Sequence, residues 1–369
     1  MHFIDLQAQY LRLKDEIDAA VQCACQQADY INGSEVKDFT AKLSEYLNVP
    51  YIVTCGNCTD ALRIALQALN IGAGDEVIVP AFTYIAPVEA IAAVGATPVL
   101  VDVDANTFNI NTKLIENAIS NRTKAIIAVH LFGQSSDTKA INEISYKHKL
   151  SVIEDNAQSL GADIIFKNGK RQKAGTTGTI GVTSFFPTKP LGCFGDGGAL
   201  FTHDAGLSET IRLLANHGQS AKYHHKTVGS NSRLDNIQAA ILNIKLRYME
   251  QFTARRRQIA AQYTEALKNI GYIQPPVISP SSTHVFHQYT IQVGNGRRDA
   301  LKAHLAANGI PTMVYYPLPI HEQEAYKHRV RKSGALAESE RLTREVLSLP
   351  IDPEMTNETV IRIIEILNS

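Results

Sequence analysis

From residue 51 onward the chain alternates short apolar runs with segments whose apolar residues recur every three to four positions. The runs at 51–54, 76–79, 97–103, 124–130 and 150–153 have strand length, and helix-like segments at 59–69, 84–94, 112–120 and 137–148 lie between them. This alternation predicts βαβ units around a mainly parallel sheet covered on both faces, an α/β fold. The runs at 180–186 and 198–202 are expected to complete that sheet. Ahead of it, residues 5–28 carry an amphipathic pattern (Leu6, Leu11, Leu13, Ile17, Val21, Ala24) broken at Tyr30-Ile-Asn-Gly33, and 36–47 predicts a second helix.

The pattern changes after about residue 245. A long charged helix is expected over 245–267, prolines 275, 276 and 280 precede a strand-like run at 287–293, and 299–307 reads as a helix. A chain of 369 residues exceeds one average domain. The expected organisation is a large domain, 1–245, and a smaller C-terminal α/β domain, 246–369. No internal repeat or low-complexity tract interrupts this reading.

Composition narrows the function. Lys plus Arg and Asp plus Glu number 36 each, so the formal net charge is zero, which argues against a nucleic-acid or membrane-surface role. No apolar stretch approaches the ~20 residues of a membrane helix. Charged residues follow closely on Met1-His-Phe-Ile-Asp-Leu6, so no signal peptide is read and the cytoplasm is expected. The cysteines at 23, 25, 55, 58 and 193 do not suggest a secreted disulfide framework. Cys55-x-x-Cys58 at a strand-to-helix junction is open to a thioredoxin-like redox reading. Against it, Cys55 reads as a small buried apolar residue. No metal site is expected: Cys23-x-Cys25 is a poor second pair, and His284-x-x-His287 and His224-His225 lack partners at ligand spacing.

Three segments carry the chemistry. In Thr183-Ser-Phe-Phe-Pro-Thr-Lys189-Pro-Leu-Gly192, Pro187 stops a strand and Lys189 follows among glycines at 192, 195, 197 and 198. One loop lysine is ordinarily a solvated one. Held rigidly and partly desolvated, its lowered pKa frees an amine for Schiff-base chemistry. In Val152-Ile-Glu-Asp155-Asn-Ala-Gln158, an apolar run ends in a carboxylate where a parallel strand would present ligands. Pyridoxal phosphate needs such a carboxylate against its ring nitrogen. In Cys55-Gly-Asn57-Cys58-Thr59-Asp60, a helix opens near Thr59, and its free N–H groups form an anion site.

With Asn231-Ser-Arg233-Leu-Asp235, and from Phe3-Ile-Asp-Leu6 to Ser348-Leu-Pro350, the chain resembles the DegT-type nucleotide-sugar aminotransferases, which are fold-type I pyridoxal-phosphate enzymes. Within that family it looks closest to enzymes that aminate UDP-2-acetamido-2-deoxy-3-oxo-glucuronate, on Ser184-Phe-Phe-Pro-Thr-Lys-Pro-Leu-Gly-Cys193, His224-His225 and the 231–235 motif. The resemblance implies that Lys189 holds the cofactor and moves protons, that Asp155 meets the ring nitrogen and that Gln158 meets the ring hydroxyl. It places Tyr84 on the ring face and Asn57, Cys58, Thr59 and Ser184 at the phosphate. Related enzymes usually carry glycine where Cys58 stands, and a small residue where Asn156 stands. Asn231 would reach the phosphate of a neighbouring subunit in a homodimer. Arg233 is open to binding the anionic sugar nucleotide or to an interface ion pair. Tyr315, Tyr316 and His321 are expected at the sugar. The implied reaction moves the amine of L-glutamate, leaving 2-oxoglutarate, to a UDP-linked 3-oxo sugar for bacterial surface polysaccharide. A 4-oxo or dTDP-linked acceptor, or a cofactor-binding regulator without turnover, are the rivals.

Overall fold

The apolar runs become one eight-stranded sheet. The computed structural model describes residues 1–369. Its main strands are β1 (Tyr51–Cys55), β2 (Glu76–Pro80), β3 (Thr97–Val101), β4 (Thr123–Val129), β5 (Ser151–Asp155), β6 (Ile180–Ser184) and β7 (Gly198–Thr202). They lie in the order β1-β7-β6-β5-β4-β2-β3, and the short Arg331–Lys332 strand closes the β3 edge. Every pair is parallel except those of β7, which runs antiparallel to both β1 and β6. The 185–197 connection carries no helix to cross back over the sheet, so β7 returns beside β6 in the opposite direction. The lysine segment is the loop between these two strands.

Strands β2, β6 and β7 are buried at every position, which is why they read as continuous rather than alternating apolar runs. Helices cover both faces. On one side pack α3 (Cys58–Ala68), α4 (Ala86–Ala93) and, further along the chain, Ala205–Ala215; on the other lies α5 (Thr138–His148). Helix α3 buries Leu62, Ile64 and Leu66, each worth roughly 1.5–3 kcal/mol. That packing anchors its N-terminus at the sheet edge. The N-terminal helices α1 (Leu6–Gln27) and α2 (Ser34–Leu47) match the amphipathic pattern and pack on Asn236–Leu246.

The long helix expected over 245–267 is present as Met249–Leu267, while residues 245–246 end a separate helix, Asn236–Leu246. Tyr248 leaves helical geometry (φ −102°, ψ 1°) between them. The bend is needed because the first helix packs on the large lobe while the second enters another core. That core joins Ile259, Tyr263 and Leu267 to Leu301, Leu305, Val360 and Ile363. An antiparallel sheet of β8 (Ile273–Gln274), β9 (Tyr289–Val293) and β10 (Val346–Leu349) backs it. The segment 112–120 forms only a 3-10 turn and the short helix Ile115–Ala118. No helix is long and apolar enough to cross a membrane.

Candidate active site

A cavity of about 770 Å³ opens where five strands end. Its wall is built by Asn57–Asp60 after β1, Thr83 and Tyr84 after β2, Val129 and Phe132 at and just past the end of β4, Asp155, Ala157 and Gln158 at the end of β5, and Ser184, Phe186, Thr188 and Lys189 at and past the end of β6. Ligands bind at this edge of open parallel sheets because the strand-to-helix loops converge there. The small lobe adds His287, Gln288, Tyr315 and Tyr316.

Lys189 sits in the loop after β6, which ends at Ser184 and not at the proline, and its N–H donates to Phe186 O at 2.9 Å. Gly192 makes this turn possible: a Cβ there would lie 2.3 Å from Pro187 O. Burial lowers the Lys189 pKa, while the neighbouring Asp155 carboxylate opposes that shift. Asp155 is buried at the end of β5 and has no ion-pair partner within 4.0 Å. Its Oδ1 accepts from Ala157 N at 3.0 Å and lies 3.9 Å from Cys58 Sγ. Burial raises its pKa, with the Ala157 N–H and Lys189 pulling the other way. The site therefore holds an amine and a carboxylate that both resist charging.

The cradle follows from the start of α3. Asn57 caps the helix through Oδ1, which accepts from Asp60 N at 2.8 Å. The N–H groups of Cys58 and Thr59, in the first turn, have no carbonyl four residues back inside the helix and are available to an anion. Gly198 on β7 backs this loop so closely that a Cβ would meet the Asn57 carbonyl carbon at 2.6 Å. Cys58 is buried, and burial pushes its thiol pKa well up. Cys55 is fully buried and pushed up to about 12. Neither thiol is poised as a thiolate, which removes the basis of a redox-pair reading.

Gln158 is already engaged: its Oε1 accepts from Phe132 N at 2.8 Å and its Nε2 donates to Tyr316 Oη at 3.1 Å. One Nε2 hydrogen is left for a ligand. Ser184 Oγ accepts from Phe186 N at 3.2 Å. Tyr84, 56% exposed, stands at the mouth with its ring centroid 6.2 Å from that of Tyr316. Tyr315 and Tyr316 line the cavity, but His321 does not; its Nε2 is 3.1 Å from Glu340 Oε1 on the helix Ala337–Glu345. Asn231 and Arg233 also lie outside the wall of this chain's own cavity. Asn231 is exposed, and Arg233 Nη1 donates to Asn216 Oδ1 at 3.4 Å. Thr83, His287 and Gln288 line the wall without having been singled out for it; the sequence marked His287 only as half of an improbable metal pair.

Beneath Asp155, Glu154 is fully buried. It accepts from His130 Nε2 at 2.8 Å, Gly175 N at 3.0 Å, Thr177 N at 2.6 Å, Thr177 Oγ1 at 2.9 Å and also Gly178 N. His130 Nδ1 accepts from Ser136 N at 3.1 Å, which fixes the tautomer that donates to Glu154. Burial pushes the Glu154 pKa up, but the His130 hydrogen bond and the surrounding N–H and hydroxyl donors outweigh it, and the net shift is downward. Glu154→Ala is expected to cost about 3–5 kcal/mol in urea unfolding, since it strands these donors. The sign of the shift places the contribution of Glu154 above its unfolded pKa, to be lost as pH falls through the lower folded one. The wild-type advantage over Glu154→Ala should therefore shrink in acid.

A mostly parallel sheet with one reversed strand, a lysine loop at its edge and a smaller C-terminal lobe define a fold-type I pyridoxal-phosphate aminotransferase fold. The chain belongs to the DegT/DnrJ/EryC1/StrS aminotransferase family, whose model matches residues 11–368. It is 44% identical, over 98% of its length and 97% of the relative's, to UDP-2-acetamido-2-deoxy-3-oxo-D-glucuronate aminotransferase of Pseudomonas aeruginosa. It is 45% identical, over 99% and 98% of the two chains, to dTDP-3-amino-3,6-dideoxy-alpha-D-galactopyranose transaminase of Aneurinibacillus thermoaerophilus. The crystal structure of NtdA from Bacillus subtilis with bound cofactor PMP superposes with a TM-score of 0.87 at 32% identity, covering 96% of this chain and 81% of that one.

Proposed function

We propose that this aminotransferase uses pyridoxal phosphate to move the amino group of L-glutamate onto UDP-2-acetamido-2-deoxy-3-oxo-glucuronate. It would release 2-oxoglutarate and supply a 3-amino sugar for bacterial O-antigen or capsule (lipopolysaccharide) synthesis in the cytoplasm. The observation that carries the chemistry is a desolvated Lys189 amine sharing a cavity with a buried, unpaired Asp155 and an open helix N-terminus. The donors present fit the cofactor. Asp155 would regain its charge against a protonated ring nitrogen, and Asn57, Cys58, Thr59 and Ser184 would hold the phosphate. Gln158 would donate its remaining Nε2 hydrogen to the ring hydroxyl, and Tyr84 would cover the ring. When bound, the cofactor supplies an electrophilic carbon and an electron sink. The Lys189 Nζ would hold it covalently and, once released, take a proton from the donor carbon and deliver it to the cofactor's carbon.

The acceptor points to a second copy of the chain. Lys189 is the single Lys or Arg in the wall, against Asp60, Glu89, Asp155 and Asp196. A sugar nucleotide carrying phosphates and a carboxylate needs further cations. Along 231–233 exposure alternates: Asn231 is exposed, Ser232 is buried and Arg233 is half-buried. Ser232 Oγ donates to Asp60 at 2.7 Å in its own cradle, so its neighbours face away. We place Asn231 and Arg233 of the partner subunit at the phosphate and the sugar nucleotide of a homodimer whose site is shared. Within each subunit we place the lobe boundary at 245/246.

The near-equal identity to a dTDP-sugar transaminase keeps a dTDP-linked 3-oxo sugar as the second reading. The reverse half-reaction decides between them. With UDP-linked 2-acetamido-3-amino-glucuronate added to cofactor-loaded protein, the aldehyde-form absorbance should disappear and return with 2-oxoglutarate. A response confined to dTDP-linked or 4-amino sugars would refute the acceptor and keep the chemistry.

A further inference from the structure

Ahead of α1 the chain carries Phe3 and Ile4, two apolar side chains outside any helix or strand. Asp5 fixes where this short arm joins the helix, since its Oδ1 accepts from Ala8 N at 2.9 Å. Helix α1 packs on Asn236–Leu246 in the large lobe. Its Arg12 reaches the small lobe: Nη2 lies 3.2 Å from Glu354 Oε1, and the guanidinium stands 4.9 Å from the Phe252 ring centroid. The start of α1 therefore rests on both lobes, and the arm before it leaves from a fixed point.

The arm ends on the cavity wall. Phe3 is half-buried, and its ring stands edge-on to that of Tyr315, with centroids 6.3 Å apart and planes at 67°. Tyr315 in turn meets the ring of Tyr316 at 5.8 Å, and both tyrosines line the cavity. The two are held differently. Tyr316 Oη accepts from Gln158 Nε2 at 3.1 Å, and its ring is 5.9 Å from that of Phe82. Tyr315 stands between the rings of Phe3 and Tyr316. The backbone is tied two residues earlier, where Met313 and Ser348 of β10 exchange N–H···O bonds at 3.2 and 2.8 Å. Beyond that point Pro317 and Pro319 lack the N–H groups to continue a ladder.

Removing the Phe3 ring would leave Tyr315 packed on one side, free to turn away from the wall. We propose that Phe3 is a positioning residue: it holds the Tyr315 ring against Tyr316 and so fixes the part of the wall that receives the sugar nucleotide. This rests on the aminotransferase reading above, with Tyr315 and Tyr316 at the sugar. An edge-on aromatic pair contributes about 3- to 10-fold to an equilibrium, which sets the size of the effect. Phe3 touches no reacting atom in this reading, so its loss acts on binding more than on the chemical step.

The test compares cofactor-loaded wild type with Phe3→Ala, Phe3→Leu, Tyr315→Ala and the double variant Phe3→Ala/Tyr315→Ala. Calorimetry gives binding of the 3-amino sugar nucleotide, the reverse reaction gives kcat and KM, and amide hydrogen exchange is followed without sugar. Phe3→Ala should weaken binding and raise KM about 3- to 10-fold with kcat within about twofold, and Phe3→Leu should recover most of that loss. In the Tyr315→Ala background Phe3→Ala should cost nothing more, because the two rings act as one unit. Exchange should quicken at residues 314–316 and stay unchanged in β5. Additive losses or an unchanged KM would overturn the assignment. So would exchange that is unchanged at 314–316, or that quickens as much in β5; this arm needs no sugar and judges Phe3 apart from the acceptor. Should the wild type bind only a dTDP-linked amino sugar, the acceptor assigned above fails on its own, and the same cycle is read with that sugar.

Discussion

Lys189→Ala protein is expected to fold normally, retain the sugar nucleotide and lose transamination by at least about 10,000-fold. One amine is asked to do two jobs, holding the cofactor covalently and carrying the proton between carbons, and no other lysine or arginine lines the cavity to replace it. Stability should not suffer. Burial lowers the Lys189 pKa, so at any pH below the unfolded pKa the lysine costs the folded state stability that alanine does not. Single-turnover absorbance, calorimetry with the sugar nucleotide and a thermal scan check the three parts. Retained turnover would sink the assignment of Lys189. A wild type without turnover whose regulatory response survives Lys189→Ala would favour a cofactor-binding regulator.

Asp155→Asn should separate function from stability. Asparagine cannot keep a ring nitrogen protonated, so activity should fall about 100- to 10,000-fold. The cofactor-free variant should nonetheless be more stable than the wild type near pH 7. Burial raises the folded pKa of Asp155, and the stability linked to it is present below the unfolded pKa and lost as pH rises through the folded one. The wild type carries that cost at neutral pH and the amide does not, for an expected gain of roughly 1–3 °C in Tm. The gap should close below about pH 4, where both side chains are neutral. Added pyridoxal phosphate should reverse the order, because it stabilises the form that binds it better. A variant less stable than wild type at every pH would show that Asp155 is a structural hydrogen-bond acceptor instead.

Much of this site was readable because its residues stand where local pattern changes. Lys189 follows Pro187 in the loop after β6, a strand that ends at Ser184, and Thr59 lies in the first turn of a helix whose apolar spacing starts at Ala61. The strand before Asp155 was read to end at Ile153, yet β5 runs on through Glu154 and Asp155. Two carboxylates look like a strand's end; the donors that let Glu154 stay buried, His130 and residues 175–178, are remote in sequence. His321, expected at the sugar, lies outside the cavity wall for a related reason: Glu340, on a helix remote in the expected pattern, engages its Nε2. The reversed direction of β7 follows from the helix-free loop before it, a signal the alternation alone did not carry.

Periodicity, strand ends and helix starts are properties of neighbouring residues, so the chain itself determined the α/β alternation, the lysine loop, the carboxylate at a sheet edge and the anion-binding helix start. Whether a polar atom has a partner depends on every segment folded around it. Only the tertiary structure could leave Asp155 without a cation within 4.0 Å, engage both ends of the Gln158 amide and bring Thr83, His287 and Gln288 to one wall.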